Sequence, residues 1–241
     1  MNIGRKWTLN IYSVISYGLQ YAFTAIMVLL GVGVAYLGWR RLLYRMYRFW
    51  AQALFILIGK RVHIRGREHV KPNERYILVA NHTSLYDIPA IIAFFPHVAW
   101  VGREYLVNIP VFGRLLRMCG YVPIYPGEFQ RSARAIQTAI ERAKGISVAI
   151  FPEGTRTLTG RLQPFKKGFV YLQRETALPL LPVTLNGLFS FKPKTRFQMD
   201  PASRLEVCIH PPVPAAALTG REPSEVAELI HATIESRHQS R

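Results

Sequence analysis

Ile77-Leu78-Val79-Ala80-Asn81-His82-Thr83-Ser84-Leu85-Tyr86-Asp87 is the stretch on which the fold turns. An apolar run ends at Ala80 and polar chemistry starts at once. The same switch recurs at Ser147-Val148-Ala149-Ile150-Phe151-Pro152-Glu153-Gly154-Thr155-Arg156. Short apolar runs rich in β-branched residues and bounded by polar turns are strand signals. Outward from these two, strands are expected at Tyr76–Ala80, Val98–Val101, Gly120–Tyr125, Ser147–Phe151, Leu180–Leu185 and Leu205–His210. Pro182 marks an edge or a bulge within the fifth. Helical patterns lie between them, at Asp87–Phe95, Val111–Cys119, Arg131–Lys144, Lys166–Thr176 and Pro223–Ser236. Strand and helix in alternation define an α/β fold, a mixed central sheet flanked by helices, over residues 61–241.

Residues 1–60 have another texture and form a membrane-anchoring unit. The 33 residues from Trp7 to Trp39 carry no formal charge, and the hydrophobic segment proper covers residues 8–39. A straight helix of that length is about 50 Å long, against a hydrocarbon core of about 30 Å. Tilting and a bent re-entrant hairpin both satisfy that excess. The seven basic residues of this region (Arg5, Lys6, Arg40, Arg41, Arg45, Arg48, Lys60) face no acidic ones, and four arginines follow the apolar run, which places that end on the cytoplasmic side. Residues 40–59 form a basic amphipathic helix, with Leu42, Leu43, Met46, Phe49, Trp50 and Ala53 on its apolar stripe, suited to an anionic bilayer.

The whole chain has 241 residues, half of them hydrophobic, with a formal net charge of +17. Such a composition excludes a mostly disordered chain and calls for anionic partners. Two cysteines exclude a disulfide framework. There is no P-loop, no G-x-S-x-G, no H-E-x-x-H and no paired C-x-x-C, and Gly31-Val32-Gly33 lacks the context of a dinucleotide fingerprint. No nucleic-acid recognition motif accompanies the charge.

The candidate chemistry sits in the two quoted turns. On one continuous helix, His82 and Asp87 point about 140° apart. A turn after His82 changes that: Ser84 then caps a new helix and Asp87, at its third position, reaches back to the imidazole. A carboxylate on one ring nitrogen leaves the other free to accept a proton, a general-base pair without a serine. On spacing alone, a capped helix start with a bystander histidine fits better than the catalytic reading. Arg156, on a glycine-containing turn, suits bidentate binding of a phosphate. Arg103, Arg114 and Arg117 are basic residues in an apolar setting.

Taken together and in this order, these segments resemble the membrane glycerolipid acyltransferases related to 1-acyl-sn-glycerol-3-phosphate acyltransferase. NHTSLYD (81–87) resembles the family's N-H-x-x-x-x-D block, and FPEGTR (151–156) matches its F-P-E-G-T-R block letter for letter. GREYLVNIPVFGRLLRMCG (102–120) resembles the block between them, and LPVTLNG (181–187) the final one. The resemblance covers roughly residues 60–190. It implies transfer of a fatty acyl chain from acyl-CoA or acyl carrier protein to the free hydroxyl of a lysolipid, chiefly 1-acyl-sn-glycerol-3-phosphate, giving phosphatidic acid. His82, held by Asp87, is then the base, with no acyl-enzyme. Glu153, Gly154, Thr155 and Arg156 hold the acceptor head group, Arg156 by charge and Glu153 by hydrogen bonds to hydroxyls, and Arg103 contributes to its phosphate. No metal or organic cofactor is implied. The partners are membrane lipid, lysolipid and acyl donor, with no nucleic acid, and the catalytic domain works on the cytoplasmic face of a bacterial inner membrane.

One departure stands out. Where the family's second block commonly ends in an Asp-Arg pair, this chain has Tyr125-Pro126, and the nearest arginine is Arg131. That keeps another acceptor open, a lysophospholipid or a lyso-ornithine lipid. A non-catalytic lipid-binding protein would bind lipid without consuming thioester; the intact His82, Asp87, Glu153 and Arg156 weigh against it. Donor identity, acyl-chain length and oligomeric state are not legible in the residues.

Overall fold

Runs such as Ile77–Ala80 and Leu180–Asn186, buried at every position, make stable strands only where both faces of a sheet are covered. The computed structural model, which describes residues 3–125, 134–135, 137–141 and 145–239, builds that sheet. Its strands are β1 (Val62–Arg65), β2 (Ile77–Ala80), β3 (Val98–Arg103), β4 (Val122–Ile124), β5 (Ser147–Ile150), β6 (Leu180–Asn186) and β7 (Leu205–Ile209), in the order β1-β7-β6-β2-β5-β3-β4. All neighbours are parallel except β6 and β7, so the sheet is mixed. The six expected strands all form. β1 was not anticipated: it is an edge strand of only four residues whose alternate positions are exposed, too short and too polar to stand out.

Pro182 is not at an edge. β6 lies between β2 and β7, and the β7 ladder begins only at Val183. The missing proline N–H therefore falls ahead of that ladder, while the Pro182 carbonyl accepts from the His210 N–H at 3.0 Å.

Two apolar layers cover the sheet. One packs Leu78, Ala80, Leu181, Val183 and Leu205 under Phe55, Tyr86, Ile91, Phe191 and Met199. The other packs Ile77, Val79, Val148 and Leu180 under Phe169, Leu172, Val226, Ile230 and Ile234. The second draws on the helices at Gly168–Thr176 and Pro223–Glu235, both anticipated. The expected helix at 131–144 falls partly outside the described residues; its described part, 134–135 and 137–141, is helical, with Ala135 and Ala139 buried.

The N-terminal region is a helical hairpin. α1 (Ile3–Tyr36) runs without a break, turns at Leu37–Trp39 with Gly38 at φ +70, and returns as α2 (Arg40–Leu57). The Tyr12 hydroxyl donates to the Ile58 carbonyl at 2.8 Å and the Trp50 indole N–H to Thr24 Oγ1 at 3.1 Å, which sets the antiparallel pairing. The protein covers only part of the expected apolar stripe of α2. Leu43, Ala51, Leu54 and Phe55 are buried, with Ile58 just beyond, while Leu42 and Phe49 are exposed. The buried side packs on α1 and on α3 (Asp87–Ile92).

Burial along α1 is inverted relative to a water-facing helix. Its most buried residues include Ser13, Ser16 and Gln20, while Trp7, Ile11, Val14, Ile15, Leu19, Ile26, Leu29 and Leu30 face outward. The polar side is pinned to the α/β domain: Ser13 Oγ accepts from the Met199 N–H, Gln198 Nε2 donates to Asn10 Oδ1, and the Tyr86 hydroxyl donates to Gln20 Oε1. At the other end Gly31 sits against Leu115, and the Arg114 guanidinium stacks 4.7 Å over the Tyr36 ring. Leu115 and Arg114 belong to α4 (Phe112–Met118).

Candidate active site

In an open α/β sheet, the loops at the carboxyl ends of parallel strands converge on one edge, and ligands bind there. β2 and β5 are neighbours, so the two motif turns that follow them meet. Asn81 extends β2 by imitating backbone. Its Nδ2 donates to the Leu185 carbonyl at 3.0 Å and its Oδ1 accepts from the Leu185 N–H at 2.7 Å. Fully buried, it ties the last turn of β2 to β6 and so aims the next residue.

That residue is His82. Its N–H donates to Glu153 Oε1 at 2.6 Å, and its carbonyl accepts from the Thr157 N–H at 2.9 Å. The 151–157 loop thus holds both backbone groups of His82. The imidazole stacks on Phe151, with ring centroids 4.0 Å apart and planes 10° apart, and Phe151 in turn lies 5.5 Å from Trp100. His82 Nδ1 lies 2.9 Å from Asp87 Oδ2.

The chain turns after His82, as required for contact, but the helix begins later than expected. Tyr86, not Ser84, precedes its first turn, and Asp87 is its first residue. Ser84 Oγ still accepts from the Tyr86 N–H at 3.3 Å, as a cap does, and donates to the Lys192 carbonyl at 2.7 Å. Asp87 is completely buried and accepts from the Thr83 N–H at 2.5 Å, the Ser84 N–H at 2.8 Å and the Thr83 hydroxyl at 3.2 Å. Donors converging on a carboxylate favour its ionised form. An ionised carboxylate only accepts, so the imidazole proton is assigned to Nδ1. Nε2 makes no hydrogen bond among the described residues, and the side chain keeps 17% exposure. The arrangement can take a proton at Nε2 and stabilise the resulting imidazolium.

The remaining expected residues separate by place. Glu153 is buried, and its oxygens are already used: Oε1 by His82, and Oε2 by the Gln163 N–H at 3.2 Å and Nε2 at 3.0 Å. These contacts brace the His82 turn against the 152–163 loop. Gly154 has φ +72 and lies beside the Lys166 ammonium; a Cβ there would approach Nζ to 2.9 Å. Thr155 is exposed, and its carbonyl accepts from Gln163 Nε2. Arg156 is half-buried one residue before Thr157, whose N–H binds His82. Arg103 ends β3, two strands from β2 on the same edge, which is roughly 10 Å across the sheet. Of the departure in the second block, Tyr125 is described, whereas Pro126 and Arg131 lie outside the described residues.

Burial pushes the Glu153 carboxyl up from 4.5 to about 7, with the donated hydrogen bonds opposing and the Asp87 charge adding. Folding therefore takes up a proton between pH 4.5 and about 7. The stability this group contributes is complete below that window and is lost as pH rises through it. Glu153→Gln removes the titration. The stability advantage of wild type over the variant should shrink with rising pH across the window, by about 3 kcal/mol in all. Thermal unfolding in detergent at a series of pH values checks this, and a constant difference would contradict it.

At the carboxyl edge of the sheet, then, a histidine–carboxylate pair sits beside the 151–157 loop, and no serine hydroxyl is bonded to the imidazole among the described residues. Comparison with known proteins supplies the class. The acyltransferase family model ("Acyltransferase") matches residues 61–186, and the chain belongs to that family. It is 32% identical over 183 residues to a 1-acyl-sn-glycerol-3-phosphate acyltransferase of Cocos nucifera, covering 74% of this chain and 58% of that protein. It is 28% identical over 182 residues to the alpha form of Homo sapiens, covering 72% and 62%. The chain thus spans about three-fifths of the length of these relatives. The crystal structure of the 1-acyl-sn-glycerophosphate acyltransferase PlsC of Thermotoga maritima superposes with a TM-score of 0.80 at 27% identity, covering 96% of this chain and 97% of that one.

Proposed function

We propose that this protein is a membrane-bound O-acyltransferase that moves a fatty acyl chain from acyl-CoA or acyl carrier protein to the free hydroxyl of 1-acyl-sn-glycerol-3-phosphate. The observation that carries this reading is the 2.9 Å contact between His82 Nδ1 and Asp87, with Nε2 left open beside the Phe151–Arg156 loop. Nε2 takes the hydroxyl proton as the oxygen attacks the thioester carbonyl. A tetrahedral adduct forms and collapses, the C–S bond breaks, and the imidazolium returns its proton to the departing thiolate. Asp87 holds the tautomer and offsets the imidazolium charge throughout. Arg156 supplies positive charge for the acceptor head group.

Membrane association is supported by the inverted burial of α1. Eight large apolar side chains turned outward, over a face of buried serine and glutamine, suit lipid rather than water. Both ends of α1 are tied to the α/β domain through Gln198–Asn10 and Arg114–Tyr36. A helix held along the domain in this way enters one leaflet with its outer face and does not project across the bilayer. The arginines at the α1–α2 turn then lie among anionic head groups.

A second acceptor is favoured by the missing Asp-Arg pair at Tyr125-Pro126. The test is product analysis by mass spectrometry after incubating purified protein, in vesicles containing anionic lipid, with mixed acyl thioesters and mixed lysolipids. Phosphatidic acid should be the main product, and the protein should float with the vesicles. Products from lysophospholipids or lyso-ornithine lipid alone would replace the acceptor. No thioester consumption with any acceptor would remove the enzymatic reading, and protein left in the aqueous fraction would remove the membrane one.

A further inference from the structure

We infer that Lys192, far from either motif turn in sequence, joins Arg156 in the anion site that receives the acceptor's phosphate. The inference rests on the acyltransferase reading and specifies a residue for it. Lys192 follows the short helix Leu188–Phe191, just after β6, and is anchored to the catalytic turn itself. Its carbonyl accepts the Ser84 hydroxyl at 2.7 Å, while the backbone N–H of that same Ser84 donates to Asp87. Arg156 lies on the loop that holds His82 by Glu153 and Thr157, one residue before the latter.

The local charge balance is one-sided. Lys192 is half-buried, and among the described residues its ammonium meets no carboxylate; its hydrogen-bond partner is the neighbouring Pro193 carbonyl at 2.9 Å. Burial, then the positive charges of Arg156 and Arg196, lower its pKa. Arg196 is otherwise committed: it donates to the carbonyls of Ser190, Phe191 and Gln198 and closes the 190–198 loop. That leaves Lys192 and Arg156 as the pair with charge to spare. Cations brought together without a counter-ion cost free energy that a bound anion recovers. A phosphate monoester, with nearly two charges, suits a pair of cations better than a phosphodiester does. This second cation also stands in for the basic residue missing after Tyr125.

The anion could belong to the acceptor or to the phosphates of a CoA donor, and steady-state kinetics separates the two. Full-length Lys192→Ala should raise KM for 1-acyl-sn-glycerol-3-phosphate by about tenfold or more, as loss of a charge-assisted contact does. Its kcat and the KM for acyl-CoA should change by less than about threefold. Lys192→Arg should restore most of the acceptor KM. If Lys192→Ala unfolds, Lys192→Met retains the stem and takes its place. An unchanged acceptor KM, or a rise confined to the acyl-CoA KM, overturns the inference while leaving the acyltransferase reading intact. Wild-type protein that acylates no phosphate-bearing lysolipid overturns both.

Discussion

His82→Ala should lower kcat for acyl transfer by about a thousandfold or more, within the upper range for loss of a positioned general base. The fold should survive, because what holds the turn is not the imidazole. His82 is fastened through its backbone N–H and carbonyl, to Glu153 and Thr157, and alanine keeps both. The cost to stability is the lost stacking on Phe151 and the Nδ1 hydrogen bond, together on the order of 1–2 kcal/mol. Circular dichroism and vesicle flotation should match wild type while product formation disappears. Turnover within tenfold of wild type would remove His82 from the mechanism.

Asp87→Asn should be as damaging to turnover, by about 10³-fold, because an amide carries no charge to stabilise the imidazolium. Here stability falls as well. Asp87 is completely buried and accepts from three groups besides His82: the Thr83 N–H, the Ser84 N–H and the Thr83 hydroxyl. The substituted amide keeps its oxygen towards the imidazole and the Thr83 and Ser84 N–H groups, all of which meet Oδ2, and turns its NH₂ to the Thr83 hydroxyl, which can accept; the buried donors lose a charged acceptor, at about 1 kcal/mol each. Unfolding midpoints and kcat should therefore drop together in Asp87→Asn, whereas in His82→Ala only kcat drops far. A stable Asp87→Asn protein with near-normal activity would mean that the carboxylate neither orients the histidine nor organises the turn.

Much of this was legible in the residues because buried parallel strands are written as unbroken apolar runs. Ile77–Ala80, Ser147–Ile150 and Leu180–Asn186 announce themselves in this way, and the polar residues after the first two mark the working edge of the sheet. β1 does not announce itself, since an edge strand with charged residues at alternate positions looks like any surface turn. For α2 the hydropathy pattern specifies a helix, whereas the burial of Leu43, Ala51 and Leu54 against protein depends on neighbours that are distant in sequence.

Within the site, His82 and Asp87 were readable because a turn between them is a local matter. The partners of Glu153 were not readable, for the opposite reason. A carboxylate in a motif looks like a ligand, and nothing local shows that the N–H of His82, 71 positions earlier, points at it. Asn81 was visible in the motif, but its use as a substitute for backbone depends on β6. Phe151 reads as the last residue of a strand, and its role as the surface on which the imidazole lies appears only in three dimensions. Lys192 carries no motif at all; it enters through a hydrogen bond spanning 108 positions.

In the proposed mechanism His82 acts as a base and never carries the acyl chain. Intact-protein mass spectrometry of wild-type protein mixed with acyl-CoA, with thiol release followed in parallel, tests this most directly. Without a lysolipid the protein should keep its unmodified mass and release no thiol; with 1-acyl-sn-glycerol-3-phosphate, one thiol should appear for each phosphatidic acid formed. An acyl adduct on the protein that maps to His82 and is discharged when acceptor is added would make the imidazole a nucleophile and contradict the account.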